Sequence, residues 1–210
     1  MVWASPGNSH SQITLQRNVS QAPRVSPDGR RLLFMSEGSF WLYNIERGIV
    51  TRFTDDRGSE YWAQWTPDSK RIVFTSNRHG SSWVNLYVKP ADLSESEQRL
   101  TERRYHQQPQ SVSSDGQSLA YQENAWDSTG FDIWVLSLEA EPEARPFKRT
   151  SSNEFHPAFS PNGRWLLAYV SDVSGREQVY VEPYPGPGPV TTISTNGGLE
   201  PIWAPDGSRL

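Results

Sequence analysis

Apolar positions along this chain gather in short runs, not in the 3.6-residue stripe of an amphipathic helix. The strongest runs are residues 31–35 (RLLFM), 71–75 (RIVFT), 118–122 (SLAYQ) and 165–169 (WLLAY). Three or four adjacent apolar residues predict a strand covered on both faces. Each run is followed by a second strand-like piece, at 40–43, 85–88, 132–135 and 178–181, and then by a more polar one, at 51–54, 98–101, 147–150 and 191–194. Each is preceded by a tight-turn signal. Pro presets φ at the second turn position, and Asn-Gly or Asp-Gly accepts the left-handed conformation that follows.

The turn recurs five times, as residues 23–29 (PRVSPDG), 63–69 (AQWTPDS), 109–116 (PQSVSSDG), 157–163 (PAFSPNG) and 201–207 (PIWAPDG). Its equivalent positions, Pro27, Pro67, Ser114, Pro161 and Pro205, stand 40, 47, 47 and 44 residues apart. Two copies depart from the pattern, with Ser69 in place of Gly and Ser114 in place of Pro, and the third copy has one extra residue after its leading Pro. A period of this length with four strands per unit predicts an all-β propeller of four-stranded antiparallel blades.

The chain is expected to form one domain over residues 1–210, with blades at about 20–55, 60–102, 106–150 and 154–195. Two strand-like pieces within residues 1–15 stand where the third and fourth strands of a preceding blade would. Residues 200–210 supply a first strand and the start of a second. If the two ends share one blade, five blades close the ring and remove exposed sheet edges. The alternative is a fragment of a propeller with six or more blades.

Composition narrows the function. A net charge of −4, with the charges dispersed, offers no basic surface for nucleic acid. Without cysteine there is neither disulfide nor thiol chemistry, and no apolar run reaches membrane-spanning length. No Gly-x-Ser-x-Gly elbow, His-Glu-x-x-His pair or EF-hand loop occurs, so no catalytic or metal-binding residue is assigned and no cofactor is expected.

One constellation is positional. Residues just before each first strand should face the mouth of the central channel, and alternate strand residues share a face. This selects Glu60 with Trp62, His106 with Gln108, Glu154 with His156, and Glu200 as a candidate partner-binding site. Trp62 and Tyr105 are its candidate aromatic anchors. Carboxylate-imidazole mixtures suit divalent metals such as Ca²⁺. Capture of a charged peptide end and a water-filled channel without a ligand are the other readings.

The segments 63–68 and 201–207 resemble the Pro-x-Trp-Ser-Pro-Asp-Gly signature of TolB-type, WD-repeat-like propellers. Residues 168–188 are similar to the propellers that end many bacterial Ser/Thr protein kinases, although no kinase motif is present. The resemblance implies a bacterial, extracytoplasmic interaction module. The family pattern Arg-Trp-Leu-Ala-Tyr gains a leucine at 164–169 here, which predicts a β-bulge between Trp165 and Ala168. The expected function is a non-catalytic, monomeric scaffold that binds a protein or peptide without entering a membrane. The alternatives are a metal-assisted hydrolase or lactonase at the channel, and a fragment with no activity of its own.

Overall fold

The computed structural model describes residues 2–4, 10–12, 19, 21–55, 57–78, 80, 82–126, 128–163 and 166–210. Eighteen strands and no helix occur among them. A short pair, β1 (Val2–Ala4) and β2 (His10–Gln12), is followed by four antiparallel sheets of four strands. The first sheet is β3 (Gln21–Val25), β4 (Arg31–Ser36), β5 (Ser39–Asn44) and β6 (Ile49–Arg52). The second is β7 (Glu60–Trp65), β8 (Arg71–Ser76), β9 (Asn85–Pro90) and β10 (Gln98–Arg99). The third is β11 (His106–Val112), β12 (Ser118–Ala125), β13 (Gly130–Ser137) and β14 (Ala144–Lys148). The fourth is β15 (Glu154–Phe159), β16 (Leu166–Ser171), β17 (Gln178–Pro183) and β18 (Thr191–Thr192). Each sheet pairs its strands in chain order, as a propeller blade does.

The core lies between the blades. Leu33, Phe40 and Phe53 of the first blade pack on Ile72, Phe74 and Tyr87 of the second. Val73, one residue along from both Ile72 and Phe74, points the other way, toward Leu119 and Tyr121 of the third blade. Ala120 in turn faces Leu167 and Tyr169 of the fourth. Alternation therefore assigns odd and even positions of each second strand to opposite neighbours, and this is why those strands are apolar throughout.

The recurring turns lock the blades on the opposite face from the first-strand starts. In each of the first three, a backbone bond from the turn residue that precedes Pro27, Pro67 or Ser114 closes a loop onto the start of the second strand (Ser26 to Arg31, Thr66 to Arg71, Ser113 to Ser118, 2.8–2.9 Å). The hydroxyls of Ser26, Thr66, Ser113 and Ser160 hold Asp28, Asp68, Asp115 and Asn162. Ser69 adopts φ 60° where its counterparts are glycine. Its hydroxyl accepts the Asp28 amide of the preceding blade (3.0 Å), a bond glycine could not make. Arg31 and Arg71 reach forward to Ala91 and Leu138 carbonyls of the following blade.

Residues 201–210 reproduce the start of a further unit. Ala204 donates to Arg209 and Gly207 to Ala204, both at 2.8 Å. Trp203 donates its indole N–H to Ala158 (3.0 Å), as Trp65 does to Arg24 (3.1 Å). Four blades are complete among the described residues. The strand sharing expected between the two ends is not among their ladders: β1 pairs with β2 alone, and residues 200–210 form a turn without a strand.

The bulge expected between Trp165 and Ala168 is not seen in the described part of that strand. Leu166, Leu167 and Ala168 pair in unbroken register with Pro183, Glu182 and Val181, while Trp165 lies outside the described residues. The irregularity sits on the facing strand, where His156 and Pro157 together oppose Tyr169. The same two-against-one irregularity stands in β3 and β7, whose units carry no added leucine, so it belongs to the repeat and not to the insertion.

Trp65 is 8% exposed, packs in the first interface and carries the Arg31 guanidinium 5.2 Å above its ring. Trp65→Ala should lower the unfolding free energy by about 3–5 kcal/mol in urea titration. A smaller loss is expected for Trp65→Phe, which keeps a ring but not the indole N–H.

Candidate functional site

The first strands are innermost, with β11 lying against both β7 and β15. Their starts carry a repeated bulge. Glu60 pairs with Ser76 and Ala63 with Phe74, so Tyr61 and Trp62 both oppose Thr75. In β15 the doubled residues are His156 and Pro157, and His156 takes φ 50°. Glu200, at the same position before Pro201, has φ 52°. In β11 the extra residue of the third copy moves the bulge along to Gln110, leaving residues 106–109 in regular register.

That register decides which predicted site residues meet. Where the bulge intervenes, the assumed alternation fails: Glu60 is 1% exposed whereas Trp62 is 38% exposed. Where it does not, His106 and Gln108 share a face and Gln107 between them is fully buried. Trp62, His106 and Gln108 therefore line one cavity of about 470 Å³ between the second and third blades. Tyr105 packs beside it against Trp83 (6.4 Å).

Glu60 and Glu154 do not reach this cavity. Glu60 receives Arg78 Nη2 at 2.6 Å and the Ser76 hydroxyl at 3.3 Å. Arg78, itself buried, also pairs with Glu97 and lies about 5 Å from the rings of Phe74 and Tyr87. Gly58 permits this packing, since a Cβ there would stand 2.6 Å from the Arg78 amide nitrogen. Desolvation pushes the Glu60 carboxyl up to about 7, against the pull of Arg78. Glu154 accepts the Thr150 hydroxyl (2.5 Å), and burial raises it as well. His156 donates its amide N–H to Gln122 Oε1 (3.1 Å), while its Nδ1 is buried without a partner. Burial holds its imidazole below the usual value, although the Glu200 and Glu177 charges pull the other way. Glu200 itself is exposed. No three His, Asp or Glu side chains gather at metal-binding distance among the described residues.

Sequence reasoning missed the third blade's buried carboxylate. Glu123, on β12, takes two bonds from Arg103 (2.6 and 2.8 Å) and one from Gln107 (2.9 Å). Arg103 covers the Trp134 ring at 4.2 Å. Nothing in the sequence marks Glu123, which stands between Gln122 and Asn124 just past the apolar run.

The cavity is rimmed by aromatics from two blades. Tyr61 and Trp62 lie 5.7 Å apart at 34°, and Trp126 meets Phe131 edge-on at 5.4 Å. Trp126 is 72% exposed. Amides make the floor: Gln122 donates to Gln108 Oε1 (3.0 Å) and accepts from Gln110 (3.2 Å), and Asn124 Oδ1 is buried with no donor. His106 Nδ1 faces the Val84 amide at 3.4 Å, which leaves Nε2 to carry the imidazole proton. No Asp, Glu, Lys or Arg is among the described residues that line it.

Residues 6–129 match the family model of the TolB beta propeller domain. This chain belongs to that family. It is 24% identical over 167 residues to the Tol-Pal system protein TolB of Wolinella succinogenes, covering 74% of this chain and 38% of that protein. The uncharacterized peptidase YuxL of Bacillus subtilis is 27% identical over 207 residues, covering 76% of this chain and 31% of YuxL. The chain thus spans about a third of the curated relatives it matches. The structure of a putative TolB from Agrobacterium tumefaciens superposes with a TM-score of 0.69 at 20% identity, over 83% of this chain and 61% of that one, a likeness of fold.

A carboxyl whose folded value lies above its unfolded one keeps its proton on folding where the unfolded chain has lost it. Stability contributed by Glu60 is therefore full below 4.5 and declines as pH rises toward 7. Glu60→Gln cannot ionise and should show a shallower decline over that window in urea unfolding. Equal slopes for variant and parent would contradict the burial assigned to Glu60.

Proposed function

We propose that this propeller is a non-catalytic scaffold that binds a protein or peptide partner in the aromatic-rimmed cavity between its second and third blades. The observation that carries this reading is the pairing of exposed Trp62 and Trp126 around a concave, amide-floored space. A volume of about 470 Å³ falls within the range of ligand sites. Exposed Trp and Tyr over a rigid base are the residue types that dominate interface energies. The dispersed net charge of −4 favours a protein partner over nucleic acid. The TolB relatives favour an extracytoplasmic bacterial setting. A hydrolase reading draws on YuxL, named as a peptidase, yet this chain covers 31% of that protein. The described residues of the cavity include one His, one Ser, several amides and aromatics, with no carboxylate to orient the imidazole, and this set favours binding over hydrolysis.

Peptides selected from a random phage-displayed library against the chain test the site. They should bind the Trp62→Ala/Trp126→Ala double variant at least tenfold more weakly than the parent. Glu139→Ala, an exposed change elsewhere, should leave binding unaltered. Selected peptides that bind the double variant as well as the parent would place the partner surface elsewhere.

A further inference from the structure

We infer that the cavity between the second and third blades takes an uncharged, proline-containing segment of its partner in the polyproline II conformation. This rests on the reading of that cavity as the partner site. Three observations narrow the ligand.

The first is the rim. Tyr61 with Trp62 on one blade and Trp126 with Phe131 on the next give two aromatic walls to one cavity. Proline-rich segments dock in aromatic-lined grooves because the ring stacks on flat faces and the chain arrives already ordered, so little entropy is lost on binding. Trp126 is 72% exposed but its edge is set against Phe131, so the wall stands in place before a ligand arrives.

The second is charge. The described residues that line the cavity include no acid, lysine or arginine. An ionised side chain entering there would lose its hydration and meet no counter-charge among those described residues. The segment is therefore neutral where it is buried.

The third is the balance of free hydrogen-bonding groups. Donors predominate: Gln108 keeps its Nε2 hydrogens, since its Oε1 is what Gln122 occupies, and His106 keeps its Nε2–H. Asn124 Oδ1, on a residue 8% exposed, is a buried acceptor without a donor. A polyproline II segment presents the complementary set, with every carbonyl unpaired and few N–H groups, because it makes no internal hydrogen bonds and proline has no N–H. One non-proline N–H reaching Asn124 Oδ1 would satisfy it. A neutral oligosaccharide also stacks on aromatics, but it offers hydroxyl donors and acceptors in equal measure.

The test is fluorescence polarisation with a labelled, neutral ten-residue peptide carrying proline at alternate positions. The same peptide with serine for proline, and maltohexaose as competitor, are run beside it. The proline peptide should bind saturably, lose tenfold or more with Trp126→Ala, and lose about three- to tenfold with Asn124→Ala. Circular dichroism should show both variants folded. Equal affinity for the serine peptide, with the Trp126 dependence kept, would overturn the proline inference while sparing the partner cavity. No saturable binding of the proline peptide, binding indifferent to Trp126→Ala, or displacement by maltohexaose would each overturn the inference as well.

Discussion

Each blade of this chain has two apolar faces, and only another blade can cover them. The second strands show the constraint most directly: after the opening Arg, every residue of β4 and β8 is buried. A full apolar side chain removed from water contributes about 1.5–3 kcal/mol, and the chain collects that gain three times, once at each interface between neighbouring blades. A lone sheet of this composition would leave both of those faces open to water. Stacking is therefore a condition of folding, and the near-constant repeat length is its trace in the sequence.

The interface changes character toward the inner ends of the strands. There the apolar alternation gives way to Glu60 with Arg78, and Glu123 with Arg103. Buried pairs of this kind add little net stability, because desolvation offsets most of the attraction, but they are costly to break singly. Their effect is positional. Arg103 is held by Glu123 while covering Trp134, and Arg78 spans the rings of Phe74 and Tyr87 next to Tyr61 and Trp62. The cavity thus stands on a base whose polar members have one arrangement.

Much of this was legible in the chain. The turn motif, its period, the four strands of each unit and the doubly covered second strands all follow from patterning that local chemistry dictates. Strand-start position also selects Trp62, His106 and Gln108, expected at the channel mouth, and the structure sets them in a cavity between two blades. The pairing of Glu60 with Trp62 and of Glu154 with His156 on shared faces did not survive, and the reason is a single added residue per strand. A bulge reverses the direction of every side chain before it, and its place was marked only by Pro23, Pro157 and the extra residue after Pro109. The partners of the buried carboxylates were beyond reach, since Arg103 and Glu123 are 20 residues apart and meet only once the third blade has formed against the second.

The same bulge decides which side chains border the cavity between the second and third blades. Three first strands carry it at their start, and in two of them a buried carboxylate precedes it, Glu60 in β7 and Glu154 in β15. In β11 it is displaced past Pro109, so His106 and Gln108 keep facing outward together while Gln107 turns inward to meet Glu123. The cavity is bordered by the bulged Tyr61 and Trp62 on one side and the regular His106 and Gln108 on the other. A one-residue irregularity in an otherwise repeating sequence is enough to set the third blade's first strand out of phase with both of its neighbours.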